Sequence, residues 1–219
     1  MTKGFRLLVG ERVWQALRAE STQHVFRAGA TMLRQGDPGG YVLMLTSGRV
    51  RVMARQNDRP DLLVALRGSG DLVGELTADP TGVRTASVVA IDHCTAGRLP
   101  FPAFRRILAA HDRQEAFTDY MVSKLSQTVP FHVQLAQFSP TQRLARLLLE
   151  IVALADPGTA DPSRVPLPQE TIAHALHLSR STVAKEIAAL RVEGVLAPGP
   201  RLRVLDRRQL AILAVDHPL

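Results

Sequence analysis

From about Thr22 to Arg98 the chain consists of short apolar runs cut by Gly, Pro, Asp and Asn. YVLMLTSGRVRVMA, DLLVALRGSGDLVG and RTASVVAID are three of them. Their β-branched content, with turn signals every 8–12 residues or so, predicts an all-β unit. Turns are expected at Gly36-Asp37-Pro38-Gly39-Gly40, Gly48, Asn57-Asp58 and Gly68-Ser69-Gly70. Within GRVRVMAR, the alternation of Val50, Val52 and Ala54 is that of a half-buried strand.

The period changes near Pro102. AFRRILAAHD reads as a short helix. In RQEAFTDYMVSKLSQTVPFHVQLAQF, residues Phe117, Met121, Leu125, Thr128, His132 and Leu135 recur by fours and threes, so one helical stripe carries all six. Such a stripe packs either on the β unit or along a two-helix seam between subunits. Pro130 is expected to kink or end this helix, because it lacks the N–H that the ladder needs. After Ser139 the chain is helical again in PTQRLARLLLEIVALA. A loop, DPGTADPSRVPLP, leads to two more helices and a basic tail. The expected organisation is a β unit over 1–112, a long helix over 113–138 and a small helical unit over 139–219.

Composition narrows the function. The 219 residues can bury a core, and 46% of them are hydrophobic. A net charge of +7 and a pI near 10.6 favour anionic partners. Cys94 is the only cysteine, which rules out an intrachain disulfide and suits a reducing cytoplasm. The apolar part of MTKGFRLLVGER is too short for a signal peptide. The uncharged stretch from Leu125 to Gln142 is too polar to span a bilayer. A cytoplasmic protein with no membrane partner is expected.

QETIAHALHLSRSTVAKEIAAL, residues 169–190, fits a helix-turn-helix. Ile172, Ala173 and Leu176 would face inward on the first helix, and Val183, Ile187 and Leu190 on the second. Ser179 is a good N-cap. The second helix then opens with Arg180, Ser181 and Thr182 and carries Lys185 on its outer face. Donors on the first turns of a helix are what a major-groove reader needs. His177 stands where glycine usually supplies a positive φ, a conformation histidine tolerates better than most residues. GVLAPGPRLRVLD reads as a wing, with Arg201 and Arg203 placed for phosphate. The other reading is an ordinary helix pair with solvated basic residues. From Ser139 onward there are 10 Lys and Arg against 8 Asp and Glu, so most of the excess charge lies upstream.

One stretch joins these parts. GELTADPTGVRTA, residues 74–86, brings Glu75 and Arg84 to one glycine- and proline-containing loop. Arg84 and Thr85 suit a phosphate, Glu75 a ribose hydroxyl, and Gly74 a close backbone approach. A plain Glu75–Arg84 salt bridge is the structural alternative. The stretch resembles the phosphate-binding cassette of cyclic-nucleotide-binding domains. With SRSTVAKEI and the order of elements, the chain resembles the CRP/FNR family of transcription regulators, from about residue 20 to 215.

The resemblance implies an α+β fold: a β-roll of jelly-roll type, a long dimerisation helix and a winged helix-turn-helix. It implies that Gly74, Glu75 and Leu76 hold a ribose, Arg84 and Thr85 a cyclic phosphate, and Thr128 an adenine. Ser179, Arg180, Ser181, Thr182, Lys185 and Arg201 would meet DNA. Cyclic AMP is the implied effector of a homodimer acting with RNA polymerase. Val129 and Pro130 depart from the family's pattern. Cyclic GMP, another effector or none stays open, as does a regulatory protein that acts on a protein partner.

No enzyme is expected, since no Walker motif, nucleophile elbow or suggestive carboxylate pair occurs. One cysteine cannot hold an iron–sulfur cluster. His93 and Cys94 read as packing rather than haem ligation, and no metal is expected at His174 and His177.

Overall fold

The structure is a computed structural model that describes residues 4–55, 62–77, 82–156 and 158–215, with the course of the helix alone over 127–137. The turn expected at Asn57-Asp58 lies outside these residues. Helices α1 (Phe5–Val9) and α2 (Glu11–Ala19) open the chain. Neither was expected from the pattern. At five and nine residues they are too short for a clear period.

Among the described residues eight strands follow: β1 (Thr22–Phe26), β2 (Thr31–Leu33), β3 (Tyr41–Ser47), β4 (Val50–Ala54), β5 (Leu62–Arg67), β6 (Leu72–Val73), β7 (Ser87–Ala90) and β8 (Cys94–Pro100). They form two four-stranded antiparallel sheets, ordered β1-β8-β3-β6 and β2-β7-β4-β5. The unbroken apolar run of β3 has a simple cause, namely that both faces of its sheet are covered. Leu43 and Leu45 enter the core between the sheets, with Val50, Val73 and Val88. Val42 and Met44 turn the other way, against Phe5, Trp14, Phe104 and Tyr120 of the flanking helices.

Helix α3 (Phe101–Ala110) is the short helix expected, and Pro102 occupies its first turn. Helix α4 (Gln114–Gln137) runs past Pro130, so of the two outcomes expected there, a kink or an end, the helix does not end. A proline costs about 3 kcal/mol within a helix. That does not outweigh a 24-residue helix anchored by buried Ala116, Tyr120 and Lys124. The stripe on α4 divides. Phe117 packs edge-on to Phe104 at 5.2 Å, whereas Leu125 is 61% exposed beside exposed Val122. Core packing thus accounts for the start of the stripe, and an uncovered apolar face follows further on.

Helix α5 (Pro140–Ala153) begins with a capping box, in which the Ser139 hydroxyl accepts from the Gln142 N–H and the Gln142 side chain reaches back. Helices α6 (Gln169–Leu176), α7 (Arg180–Val192) and α8 (Arg207–Leu213) complete the C-terminal unit. Its wing is narrow, with β-bridges only between Leu196 and Val204 and between Arg164 and Arg203.

The C-terminal unit shares its core with the second sheet. Met53, Leu63, Leu66 and Ile91 pack in one cluster with Leu144, Leu148, Ile151 and Leu176. Arg49, 1% exposed, sits beside that contact. Its Nε and Nη2 donate to the two Asp92 carboxylate oxygens at 2.6 and 3.0 Å, and Nη1 donates to the Ile151 carbonyl of α5 at 2.8 Å.

Candidate functional site: an effector cavity and a nucleic-acid interface

A cavity of about 180 Å³ lies between the β-roll and α4. The β-roll lines it with Gly74, Glu75, Leu76, Arg84 and Thr85, so five of the six residues named for a ligand meet there. The sixth, Thr128, lies on α4 one turn beyond Lys124, and its side chain falls outside the described residues. Much of the remaining lining is apolar, including Leu33, Val52, Val64 and Val88. This arrangement suits a flat apolar body with a charged end.

Glu75 and Arg84 do not form the salt bridge that was the structural alternative. The Glu75 Oε1 accepts instead from Lys124 Nζ at 2.7 Å. Burial pulls the Lys124 ammonium below the ordinary lysine range, and the Glu75 carboxylate draws it back up. The other carboxylate oxygen, Oε2, is buried with no hydrogen-bond partner. Arg84 is 2% exposed and held by backbone. Its Nη1 donates to the Gly74 carbonyl at 2.6 Å and its Nη2 to the Tyr41 carbonyl at 2.8 Å, while the guanidinium stacks 4.4 Å from the Tyr41 ring centre. Arg84 Nε is buried and unpartnered. One edge of the guanidinium, Nε–H and the second Nη2 hydrogen, therefore has no protein acceptor. Gly74 is required twice over, by a φ of +83° and because a Cβ would stand 2.7 Å from Arg84 Nη1.

Lys124, Tyr41 and Arg67 belong to this site and were not found in the sequence. A lysine on a helix is ordinarily solvated. Only the placement of α4 against β6 turns Lys124 inward, where it also donates to the Leu72 carbonyl at 2.8 Å.

The second site is on the C-terminal unit. His177 adopts φ 52° and ψ 43°, the left-handed conformation expected of the turn. Ser179 caps α7, its hydroxyl accepting from the Thr182 N–H at 3.0 Å. That hydroxyl also bonds the Ser181 and Thr182 hydroxyls, so three of the named residues are tied to one another at the helix start. Arg180, Ser181 and Lys185 are exposed on α7, and Val183, Ile187 and Leu190 are buried beneath them. Arg201 is exposed in the wing. Arg203 is engaged, donating to Asp161 at 2.6 Å.

No described helix is long and apolar enough to cross a membrane. Among the described residues, no group of three or more His, Cys, Asp or Glu is placed to hold a metal ion.

Fold and sites define a class: an effector-binding β-roll carrying a winged helix-turn-helix. Residues 23–111 match the cyclic nucleotide-binding domain, and residues 142–213 the Crp-like helix-turn-helix domain. The chain is 27% identical over 190 residues to a CRP-like cAMP-activated global transcriptional regulator of Mycobacterium tuberculosis, covering 85% of each chain. It is 24% identical over 187 residues to the cAMP-activated global transcriptional regulator Vfr of Pseudomonas aeruginosa, covering 82% of this chain and 87% of that one. Among solved structures, a CRP-family transcriptional regulator of Thermus thermophilus superposes with a TM-score of 0.72 at 23% identity, covering 87% of this chain and 96% of that one. The c-di-GMP responsive regulator CLP of Xanthomonas campestris superposes at 0.70 and 20% identity, covering 89% and 99%.

The chain belongs to the CRP/FNR family of transcription regulators. It is a cyclic-nucleotide-responsive, DNA-binding regulator of a non-enzymatic family.

Proposed function

We propose that the effector is cyclic AMP, bound in the cavity between the β-roll and α4. The observation that carries this reading is the pair of buried, unpartnered polar atoms on the cavity wall, Glu75 Oε2 and Arg84 Nε. Leaving such groups unsatisfied costs roughly 1–3 kcal/mol each, so a ligand that supplies both partners gains by binding. A cyclic nucleotide does so with a ribose hydroxyl for Glu75 and a phosphate oxygen for Arg84. Gly74 and Leu76 approach the sugar, Thr85 adds a hydroxyl to the phosphate, and Thr128 of α4 is assigned to the adenine. Because backbone carbonyls already fix Arg84, little side-chain entropy is lost when the anion arrives.

The uncovered apolar face of α4, Val122 and Leu125, is the seam of a homodimer. Two helix-turn-helix units then read a near-palindromic site with half-sites about one helical turn apart. Ser179, Ser181 and Thr182 open the recognition helix. Arg180 and Lys185 reach base edges or phosphates, and Arg201 touches the backbone from the wing. Cyclic AMP favours the DNA-competent orientation by binding it better, and the bound dimer works with RNA polymerase.

The test is a calorimetric titration of nucleotide-stripped protein with cyclic AMP and then cyclic GMP. One site per chain, tighter for cyclic AMP and abolished in a folded Arg84→Ala variant, is the expected result. Tighter binding of cyclic GMP would replace the effector. Binding of cyclic AMP that survives Arg84→Ala would remove Arg84 from the phosphate.

A further inference from the structure

The cavity wall carries three cations, Arg67, Arg84 and Lys124, against one carboxylate, Glu75. Two of the three are accounted for. Lys124 is paired with Glu75, and Arg84 is braced by the carbonyls of Gly74 and Tyr41. Arg67 is different. It ends β5 and is only 5% exposed. Among the described residues it has no ion pair, and its one hydrogen bond runs from Nη1 to the carbonyl of its own neighbour, Leu66, at 2.7 Å. Four of the five guanidinium N–H donors are left over. Its charge is felt by the buried Glu150 carboxyl of α5, which Arg67 draws down against the rise that burial causes, yet no acceptor beyond the Leu66 carbonyl takes its remaining donors.

The strand end cannot readily swing Arg67 out to solvent. The next residue, Gly68, packs so closely on α5 that an added Cβ would stand 3.2 Å from the Leu154 carbonyl oxygen. Leu66, on the other side, is buried in the core shared with α5. Arg67 is thus fixed between the C-terminal unit and the cavity.

We propose that Arg67 is an effector-binding residue, its guanidinium taking an oxygen acceptor of the bound nucleotide. This rests on the cavity being the effector site and adds a contact that the loop Gly74–Ala86 does not contain. The acceptor is an oxygen of the cyclic phosphate, shared with Arg84, or the 6-oxo group of a guanine base. Adenine carries no oxygen, so the two sources can be told apart.

Full-length protein, Arg67→Gln and Arg67→Lys are titrated with cyclic AMP and with cyclic GMP, and the fold of each variant is checked by its thermal melt. A hydrogen bond to a charged donor contributes about 1.5–3 kcal/mol, so the glutamine variant is expected to bind at least about tenfold more weakly. Lysine keeps the charge without the fork and should recover part of the loss. Equal losses for the two nucleotides assign the contact to the phosphate, and a loss confined to cyclic GMP assigns it to the base. A folded glutamine variant with the affinity of the parent for both ligands would overturn the proposal. If glutamine prevents folding, the lysine variant decides, and unchanged affinity there has the same consequence. Parent protein that binds neither nucleotide would sink the effector assignment itself, and Arg67 with it. Parent binding with unaffected variants sinks the Arg67 contact alone.

Discussion

Glu75 and Arg84 are nine residues apart in sequence and meet on one cavity wall without pairing. Their convergence was legible because it is local: a loop closed by glycines has few ways to hold two charged residues. What satisfies them was not legible. Lys124 comes from 49 residues away and the Tyr41 carbonyl from 43, and no pattern within the loop points to either. Cys94 shows the opposite case, a residue whose ordinary role was plain beforehand. Its thiol is fully buried and donates to the Arg49 carbonyl at 3.3 Å. Burial, and then the nearby Asp92 charge, push it up to about 12. The thiolate is the reactive form, so the native protein should not react with a thiol reagent at pH 8 and should react once unfolded. The same shift has a sign in stability. The unfolded chain loses this proton near pH 9.0 and the folded chain only near 12, so this contribution is intact below pH 9 and is lost as pH rises between the two. Rapid labelling of the folded protein would contradict the burial of Cys94.

Among elements, those with a strong period were the ones the sequence revealed. The helix-turn-helix followed from inward apolar positions and a serine cap, and the β-roll from runs cut by turns. Helices α1 and α2 were hidden by their length, and the course of α4 past Pro130 by a rule that treats proline as a breaker regardless of helix length. The turn between α6 and α7 offers a direct test of local physics. A non-glycine residue in the left-handed conformation costs about 1–2 kcal/mol, partly offset because glycine loses more backbone entropy on folding. His177→Gly should therefore stabilise the protein by roughly 0.5–1 kcal/mol, and a β-branched residue such as His177→Val should destabilise it. Urea midpoints measure both. A glycine variant less stable than the parent would mean that the His177 side chain makes a contribution its exposed position does not reveal.

For the whole molecule, the sheet β2-β7-β4-β5 matters most, because its two faces serve different units. Val52 and Val64 line the effector cavity, while Met53, Leu63 and Leu66 pack into the C-terminal core. Anything that fills the cavity presses on the same strands that carry the DNA-binding unit. Sequence periodicity shows two apolar faces on such strands but not which unit each face meets. That depends on contacts more than 80 residues apart, such as Arg49 to Ile151 and Gly48 N–H to Asp156 at 2.5 Å.

Arg49 is the polar centre of this contact, since it holds Asp92 with one edge and α5 with the other. Removing one partner of a buried pair costs about 3–5 kcal/mol. Asp92 is partly exposed and can regain water, which places Arg49→Met near the lower end. A loss of roughly 3 kcal/mol in urea is expected. It should be accompanied by faster amide exchange along α5 and around Thr171, whose hydroxyl accepts from Arg51 across the same contact. The second measurement separates two roles that stability alone would merge. The same loss of stability with exchange in α5 unchanged would make Arg49 a brace within the β-roll. Faster exchange confined to α5 and α6 would show that the variant releases the DNA-binding unit from the sheet that walls the effector cavity.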